Sequence, residues 1–385
     1  MTDLDTRVRV AYFVPPSEHF AGVERVVHEI ASGVAQAHGD ELDVHVLFST
    51  RYDDALLEET PYTLHQLGVD RLRNLAGPLR EVVAREGFDV FVCPQVEPSV
   101  MARIALVGLR VPVFITHLHG NPRVEERDGS RRTRWAFAAF RHVLSRRNAA
   151  VLSVSPTLRE YAQRSVTAHA PVVFAKNPAR ELGGETRRTA PTGVFRMVDV
   201  ARLDRQKGLD VLLHAFALAR PHLPPSSLTV VGTGPDEAEL KALSRRLGVD
   251  DRVVFAGYAP DPSAAFREAD CFVLSSRWEG FPLVLLEALR FGLPLLAADC
   301  DFGPSDLITD PRIGELVPVE DPQALADGMV RAAHRAPDPA AEAFRRATAA
   351  SYGRAEASEM HVEVLRDVAG RVPAQNRRLR EFAAR

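Results

Sequence analysis

Two trains of strand-like runs, each alternating with helical patterns and separated by a polar linker, constrain this chain more than any single motif. In the first half the β-branched or aromatic runs are Val8 to Val14, Asp43 to Ser49, Asp89 to Pro94, Val111 to His117 and Ala150 to Ser155. Helical patterns such as Gly22 to Ala37 lie between them. The second half repeats the scheme at Val194 to Ala201, Leu228 to Val231, Val253 to Gly257, Cys271 to Ser275 and Leu293 to Ala298. Strands alternating with helices predict a parallel sheet covered on both faces. The segment Asn177 to Gly193, rich in Gly, Pro, Thr and charge, reads as a linker, with the boundary near residues 178 to 190. The fold class expected is therefore α/β: two doubly wound, Rossmann-like parallel-sheet domains facing across a cleft. Ligands of such sheets bind outside the carboxyl ends of the strands.

Composition narrows the function classes. A chain of 385 residues fits two domains of ordinary size. It contains no apolar run long enough to span a bilayer. The N-terminus passes directly into a strand-like segment without a signal-peptide pattern, so a cytoplasmic protein is expected. A net charge of −3 argues against nucleic acid as a partner. Cys93, Cys271 and Cys300 are scattered among apolar runs and read as buried, inert thiols. Nearly every cation is Arg; the only lysines are Lys176, Lys207 and Lys241, which draws attention to Lys207 beside a turn.

The chemistry concentrates at strand ends of the second half. Val200 to Asp210 places Arg202 and Lys207 around a turn. Val230 to Leu240 runs through Gly232 and Gly234 into a helix beginning near Pro235, and Phe255 to Asp261 carries Tyr258. The fourth segment carries Glu279 before a Gly280-Phe281-Pro282 step and Glu287 on the apolar-periodic helix that Pro282 is expected to open. A helix mouth offers free N–H groups and the positive end of a dipole to an anion. Two acids flanking such a mouth suit a ligand with hydroxyls and phosphates, and a nucleotide-sugar has both. The departing phosphate then needs fixed positive charge, which Arg202 and Lys207 can supply without metal. The string Asp299-Cys300-Asp301 is read as a helix-entry loop before Pro304, so no metal ligands and no cofactor are expected.

These segments resemble the donor-binding domain of the retaining GT-B glycosyltransferases of family four. The pattern R-x4-K-G, V-G-x-G-P, F-x-G-Y, S-x3-E-G-F-P-x-V-x-L-E-A and G-x-P-x-x-A-x-D-C-x-x-G-P covers residues 200 to 305 almost continuously. The similarity is greatest to bacterial enzymes that extend glycans with UDP-linked hexoses or N-acetylhexosamines. The resemblance implies that Arg202 and Lys207 hold the donor diphosphate and that Glu287 accepts hydrogen bonds from the ribose. It also implies that Glu279 positions sugar hydroxyls while the segment Gly280, Phe281, Pro282, Leu283 and Val284 lines the sugar and phosphate, the N–H groups of its non-proline residues around Gly280 to Leu283 holding them. Residues 1–178 would then be the acceptor-binding domain and 179–352 the donor-binding domain. Residues 353–385, with a helix at Arg354 to Gly370, would pack back on the first. The acceptor would be a glycan, a lipid-linked saccharide or a small natural product.

In the first half, Gly22 begins a helix after the first strand, poised to present N–H groups to phosphate; the resembling family usually has a second glycine where this chain has Ala21. Ile115 to Arg123 carries His117, His119 and Asn121. The resemblance implies that one histidine, His117 favoured over His119, approaches the transferred sugar. Ser130 to Arg147 combines six arginines with Trp135, Phe137 and Phe140 on an expected helix. The commoner reading is a core-facing aromatic stripe; the other is an interfacial helix giving peripheral contact with an anionic membrane. Two other classes share these motifs: an epimerase or hydrolase of nucleotide-sugars on the same fold, and a non-catalytic sensor.

Overall fold

In the computed structural model the described residues are 7–17, 20, 22–109, 113–183, 193–371, 379 and 382. Residues 184–192 of the expected linker, Ala21, the start of the run at Val111 and most of the chain beyond 371 lie outside them. The chain forms two compact units, Met1–Pro178 with Arg354–Arg385, and Ala179–Gly353.

The first unit holds a seven-stranded sheet: β1 (Val8–Val14), β2 (Leu42–Phe48), β3 (Thr63–Gln66), β4 (Val90–Pro94), β5 (Val113–Leu118), β6 (Asn148–Ser153) and β7 (Val172–Phe174). Their order is β3-β2-β1-β4-β5-β6-β7, and every pairing is parallel. The second unit holds a six-stranded sheet: β8 (Phe195–Val200), β9 (Ser226–Val231), β10 (Val253–Gly257), β11 (Cys271–Leu274), β12 (Leu295–Ala298) and β13 (Gly314–Val317). Their order is β10-β9-β8-β11-β12-β13, again all parallel. Both sheets are doubly wound, the Rossmann-like arrangement expected.

Three strands were not legible as runs: β3, β7 and β13. All are sheet edges of three or four residues. An edge strand is not covered on both sides, so it need not carry the continuous apolar run that marks a central parallel strand. Central strands do carry it: β1 and β4 are almost wholly buried, and Phe13 stacks on Phe91 with ring centroids 5.8 Å apart. All three cysteines are buried and unpaired, and burial pushes the Cys93 and Cys271 thiols up to about 12.

Helix ends follow local chemistry. Ser155, Asp321 and Asp338 each cap a helix with a side-chain oxygen, followed by Pro in the first turn. The C-terminal helix Arg354–Arg371 lies against the helix Gly22–His38, with an ion pair from Arg354 to Glu29 at 2.7 Å and a hydrogen bond between His38 Nε2 and Glu359 Oε1 at 2.7 Å.

Two expectations are corrected. Residues 130–147 do not form one helix: Arg131–His142 is capped by Ser130, and at Val143 the backbone leaves helical geometry before a short turn at Leu144–Arg147. Phe137 and Phe140 are core residues, while Trp135 is 53% exposed. Arg132 pairs with Glu97 and Arg141 with Glu126. The segment is thus largely a core-facing stripe whose aromatics are spent on packing, which leaves the membrane reading one exposed aromatic ring. Among the described residues no helix is long and apolar enough to cross a membrane. The second correction is local. Pro282 stands at the N-cap of the helix Leu283–Arg290, in extended geometry, rather than inside its first turn.

Candidate active site

In the second unit, parallel pairing brings the strand-end segments to one edge of the sheet. Arg202 follows β8, Gly232 follows β9, Tyr258 follows β10, Glu279 follows β11 and Asp299 follows β12. The two glycines of the second segment are there because backbone meets backbone. Gly232 has φ of 141°, and a Cβ on it would collide with the carbonyl oxygen of Ala201. A Cβ on Gly234 would collide with the carbonyl oxygen of Leu203. The loops are stitched by Leu203 N–H to Thr233 O at 3.0 Å and Asp236 N–H to Leu203 O at 3.0 Å. Arg202, held beside this seam, is exposed, and its Nε lies 3.6 Å from Asp204. Tyr258 is also exposed.

Lys207 ends a single turn capped by Asp204, whose carboxylate accepts from Gln206 N–H at 3.0 Å. Gly208 follows at φ 62°, where a Cβ would strike the carbonyl oxygen of Ser275. The turn therefore packs flat on the loop after β11. Ser275 Oγ donates to Lys207 O at 2.8 Å, Arg277 N–H to Gln206 O at 2.7 Å, and Gln206 Nε2 to Trp278 O at 2.9 Å. Arg277 grips Asp210 through two bonds of 2.9 and 2.7 Å, and Glu320 at 2.8 Å. This scaffold sets Lys207 Nζ 2.7 Å from Glu279 Oε1, which also accepts from Ser276 Oγ at 2.7 Å. Glu279 is only 5% exposed and Ser276 is fully buried. Burial works to lower the Lys207 pKa, but the field and hydrogen bond of Glu279, with Asp199 and Asp204 adding, outweigh it and hold the ammonium above its ordinary range.

The Gly280-Phe281-Pro282 step is held from both sides. Phe281 stacks on Tyr352, ring centroids 5.6 Å apart at 20°. On the other side Gly303, at φ 100°, approaches so closely that a Cβ would lie 3.0 Å from Phe281 Cα. The first N–H groups of the helix that starts at Leu283, including those of Leu283 and Val284, are thus fixed in place at its mouth. Glu287 sits half-buried on that helix. Cys300 of the Asp299-Asp301 string is buried, and among the described residues no group of three or more His, Cys, Asp or Glu is arranged to hold a metal ion.

The first unit presents a different surface. Gly22, at φ 46°, begins the helix Gly22–His38. At the end of β5, His117 is 2% exposed and its ring lies 3.8 Å, centroid to centroid, from that of His119. A third imidazole, His361 of the C-terminal helix, lies 5.1 Å from His117. His117 Nε2, both ring nitrogens of His119, His361 Nε2, Tyr12 Oη, Gln95 Oε1 and Asn121 Nδ2 are enclosed without a protein partner. Asn121 also caps the helix Pro122–Asp128 through its Oδ1, at 3.1 and 3.2 Å from two N–H groups. Gln95 has φ of 62°, a strained conformation of the kind that gathers at binding sites.

Sequence reasoning missed His361 and Asp199. His361 carries no local signal, because only the return of the C-terminal helix brings it to β5. Asp199 did leave one: a carboxylate inside the apolar run of β8.

Two family models divide the chain between them: "Glycosyl transferases group 1" matches residues 187–349 and "Glycosyl transferase 4-like domain" residues 21–178. The chain belongs to the GT-B glycosyltransferases. Two solved structures align along almost their whole length. Anabaena HepE in complex with UDP and glucose gives a TM-score of 0.75 at 19% identity over 94% of this chain and 100% of that one. The apo lipopolysaccharide outer core galactosyltransferase WaaB gives 0.71 at 18% identity over 93% and 99%. Sequence relatives include the lipopolysaccharide 1,6-galactosyltransferase of Escherichia coli K12, 34% identical over 129 residues, 32% of this chain and 35% of that protein. The poly(glycerol-phosphate) alpha-glucosyltransferase of Bacillus subtilis is 28% identical over 140 residues, 36% of this chain and 21% of that protein. The chain spans about a third of the length of the first curated relatives it matches.

The imidazole group of this GT-B glycosyltransferase has a measurable consequence. Burial lowers all three histidines, His119 to about 3 and His361 to about 4, and neighbouring imidazoles depress His117 and His119 further. Unfolded imidazoles protonate near 6.5, so below that pH the unfolded chain binds more protons and stability falls as the solution is acidified. His361→Gln, neutral at every pH, is expected to remove on the order of 2–3 kcal/mol of that loss near pH 4. Urea midpoints across pH measure it; a variant with the wild-type slope refutes the assignment.

Proposed function

We propose that the protein is a retaining, metal-independent glycosyltransferase. It moves a sugar from a nucleotide-diphosphate sugar, UDP-linked by preference, to a hydroxyl of a glycan, lipid-linked or small-molecule acceptor. The observation that carries this reading is the Lys207–Glu279 contact, set at the C-terminal edge of the second sheet beside the mouth of the helix Leu283–Arg290. One carboxylate oxygen of Glu279 is committed to Lys207 and Ser276; the other has only a 3.5 Å contact with Gln206 Nε2 and remains to accept a sugar hydroxyl. Lys207, the exposed Arg202 and the helix N–H groups then share the diphosphate charge, and Gly232 and Gly234 admit the backbone to the ligand. Tyr258 borders the same edge, and Glu287 anchors the ribose hydroxyls.

In the transfer step the bond from C1 of the sugar to the phosphate oxygen breaks and the bond from C1 to the acceptor oxygen forms on the same face. The acceptor proton passes to the departing phosphate, so Glu279 positions and need not act as nucleophile. In the first unit, His117, His119 and Asn121, with their unpartnered ring and amide nitrogens, are assigned to hydroxyl recognition, and Gly22 to anion recognition at its helix start. The solved HepE complexes with UDP support a uridine donor, and the lipopolysaccharide galactosyltransferase relative supports a glycan acceptor.

Calorimetry with UDP-hexoses tests the donor reading. Glu287→Ala is expected to weaken binding roughly 10- to 100-fold, the cost of about 1.5–3 kcal/mol for a lost charge-assisted hydrogen bond. The wild-type affinity should be unchanged in excess chelator. Binding that appears only with added divalent metal, or an alanine variant of undiminished affinity, rules the reading out. Product analysis with donor alone separates the alternative: rapid epimerisation or complete hydrolysis without acceptor indicates a nucleotide-sugar epimerase or hydrolase.

A further inference from the structure

One buried acid of the second unit, Asp199, stands outside the roles given above. Asp199 is on β8, a central strand paired on one side with β9 and on the other with β11. Strand alternation puts it on the same face as Met197, which packs among Leu209, Leu213 and Phe216 of the helix Leu209–Ala219. That helix follows directly on the turn that carries Lys207. Asp199 is 1% exposed, and its Oδ1 has no hydrogen-bond partner. A buried carboxylate lacking a partner at one oxygen is costly, so such a group keeps its proton unless a cation compensates. The charged groups that act on it are Lys207 from the turn and Glu279 from the loop after β11, and these two are already paired with each other. Asp204 adds its field at Lys207.

We propose that Asp199 is a positioning residue of the donor site whose proton sets the net charge of the Asp199–Lys207–Glu279 trio, and thereby the affinity for a nucleotide-sugar. The proposal rests on the donor reading above. With Asp199 protonated the trio is neutral and Lys207 is free to share its charge with a pyrophosphate. With Asp199 ionised the trio is a net anion, and the incoming diphosphate meets repulsion in a poorly solvated site. Burial, opposed by Lys207 and reinforced by Glu279, carries the Asp199 carboxyl up to about 7, so the change falls in the physiological range.

The test uses the full chain, with UDP-glucose and UDP-N-acetylglucosamine as probes, because their pyrophosphate diesters keep a constant charge at neutral pH. The wild-type affinity is expected to fall roughly tenfold between about pH 6 and pH 8. Asp199→Asn should hold the low-pH affinity throughout, and Asp199→Ser provides a second uncharged side chain should the amide not pack. A ligand-free readout accompanies it. Relative to Asp199→Asn, the wild-type melting temperature should drop as pH rises from about 4 to 7, because the unfolded carboxyl ionises while the folded one does not. A pH dependence of affinity that survives in both variants overturns the proposal, as does a melting difference that ignores pH. A wild-type chain that binds neither probe at any pH overturns the donor reading instead, and the melting series then shows whether Asp199 holds its proton regardless.

Discussion

Lys207→Ala is expected to lower the unfolding free energy by about 3–5 kcal/mol and to abolish detectable sugar transfer. The size of the effect comes from what is left behind. Glu279 is 5% exposed and would lose its 2.7 Å partner, keeping only Ser276 and a long contact to Gln206. An ionised carboxylate stranded in that setting costs far more than an exposed ion pair contributes. The double variant Lys207→Ala with Glu279→Gln should therefore recover most of the stability and, on the donor reading proposed above, none of the activity, since the amide needs no counter-ion but a diphosphate would still lack its cation. Urea denaturation of the four members of the cycle, with transfer assays on each, measures both parts. A double variant as unstable as the single one would show that packing, and not charge, governs the site. The folded pKa of Lys207 is raised, so the stabilisation from the pair is fully present below the ordinary lysine value and is lost only as pH rises through the folded one.

Gly232→Ala is the second large effect. The backbone there sits at φ 141°, and the added methyl group would meet the Ala201 carbonyl oxygen. That carbonyl has little room to yield, because Ala201 N–H is bonded to Val231 O at 2.9 Å and Gly232 N–H to Gly257 O at 2.8 Å. The expected cost exceeds about 3 kcal/mol, strain added to a backbone clash. On the donor reading it should come with loss of nucleotide-sugar binding, because the displaced loop carries Arg202. Gly248→Ala is the control: φ is 66°, but nothing lies within 4 Å of the added carbon. Its cost should stay near 1 kcal/mol, with donor affinity intact. If the two variants lose equal stability, left-handed geometry alone explains both and the close approach is irrelevant.

The chain divides cleanly into what local pattern reveals and what it hides. The central strands announce themselves because a strand covered on both faces must be apolar along its length, and the order of strands and helices then leaves a doubly wound sheet as the arrangement that buries them. The edge strands β3, β7 and β13 carry no such obligation. The break at Val143 and the N-cap position of Pro282 turn on individual dihedral angles, which apolar periodicity does not report.

For the site, the sequence determined which residues stand at the strand ends of the second unit, because a parallel strand and its following turn deliver the next few residues to one edge. Arg202, Lys207, Gly232, Tyr258 and Glu279 are all of this kind. Tertiary structure decided how they are paired. Read in one dimension, Lys207 and Glu279 are a cation and an acid far apart in the chain; packing of the Gly208 turn on Ser275 makes them a single buried ion pair. Asp199 and His361 owe their environments wholly to non-local packing, one to the turn above its strand and the other to a returning C-terminal helix. Position along a strand is set by residues a few places away and is written in the chain. Proton affinity and partner choice depend on what burial removes and what it brings near, and only the folded molecule decides those.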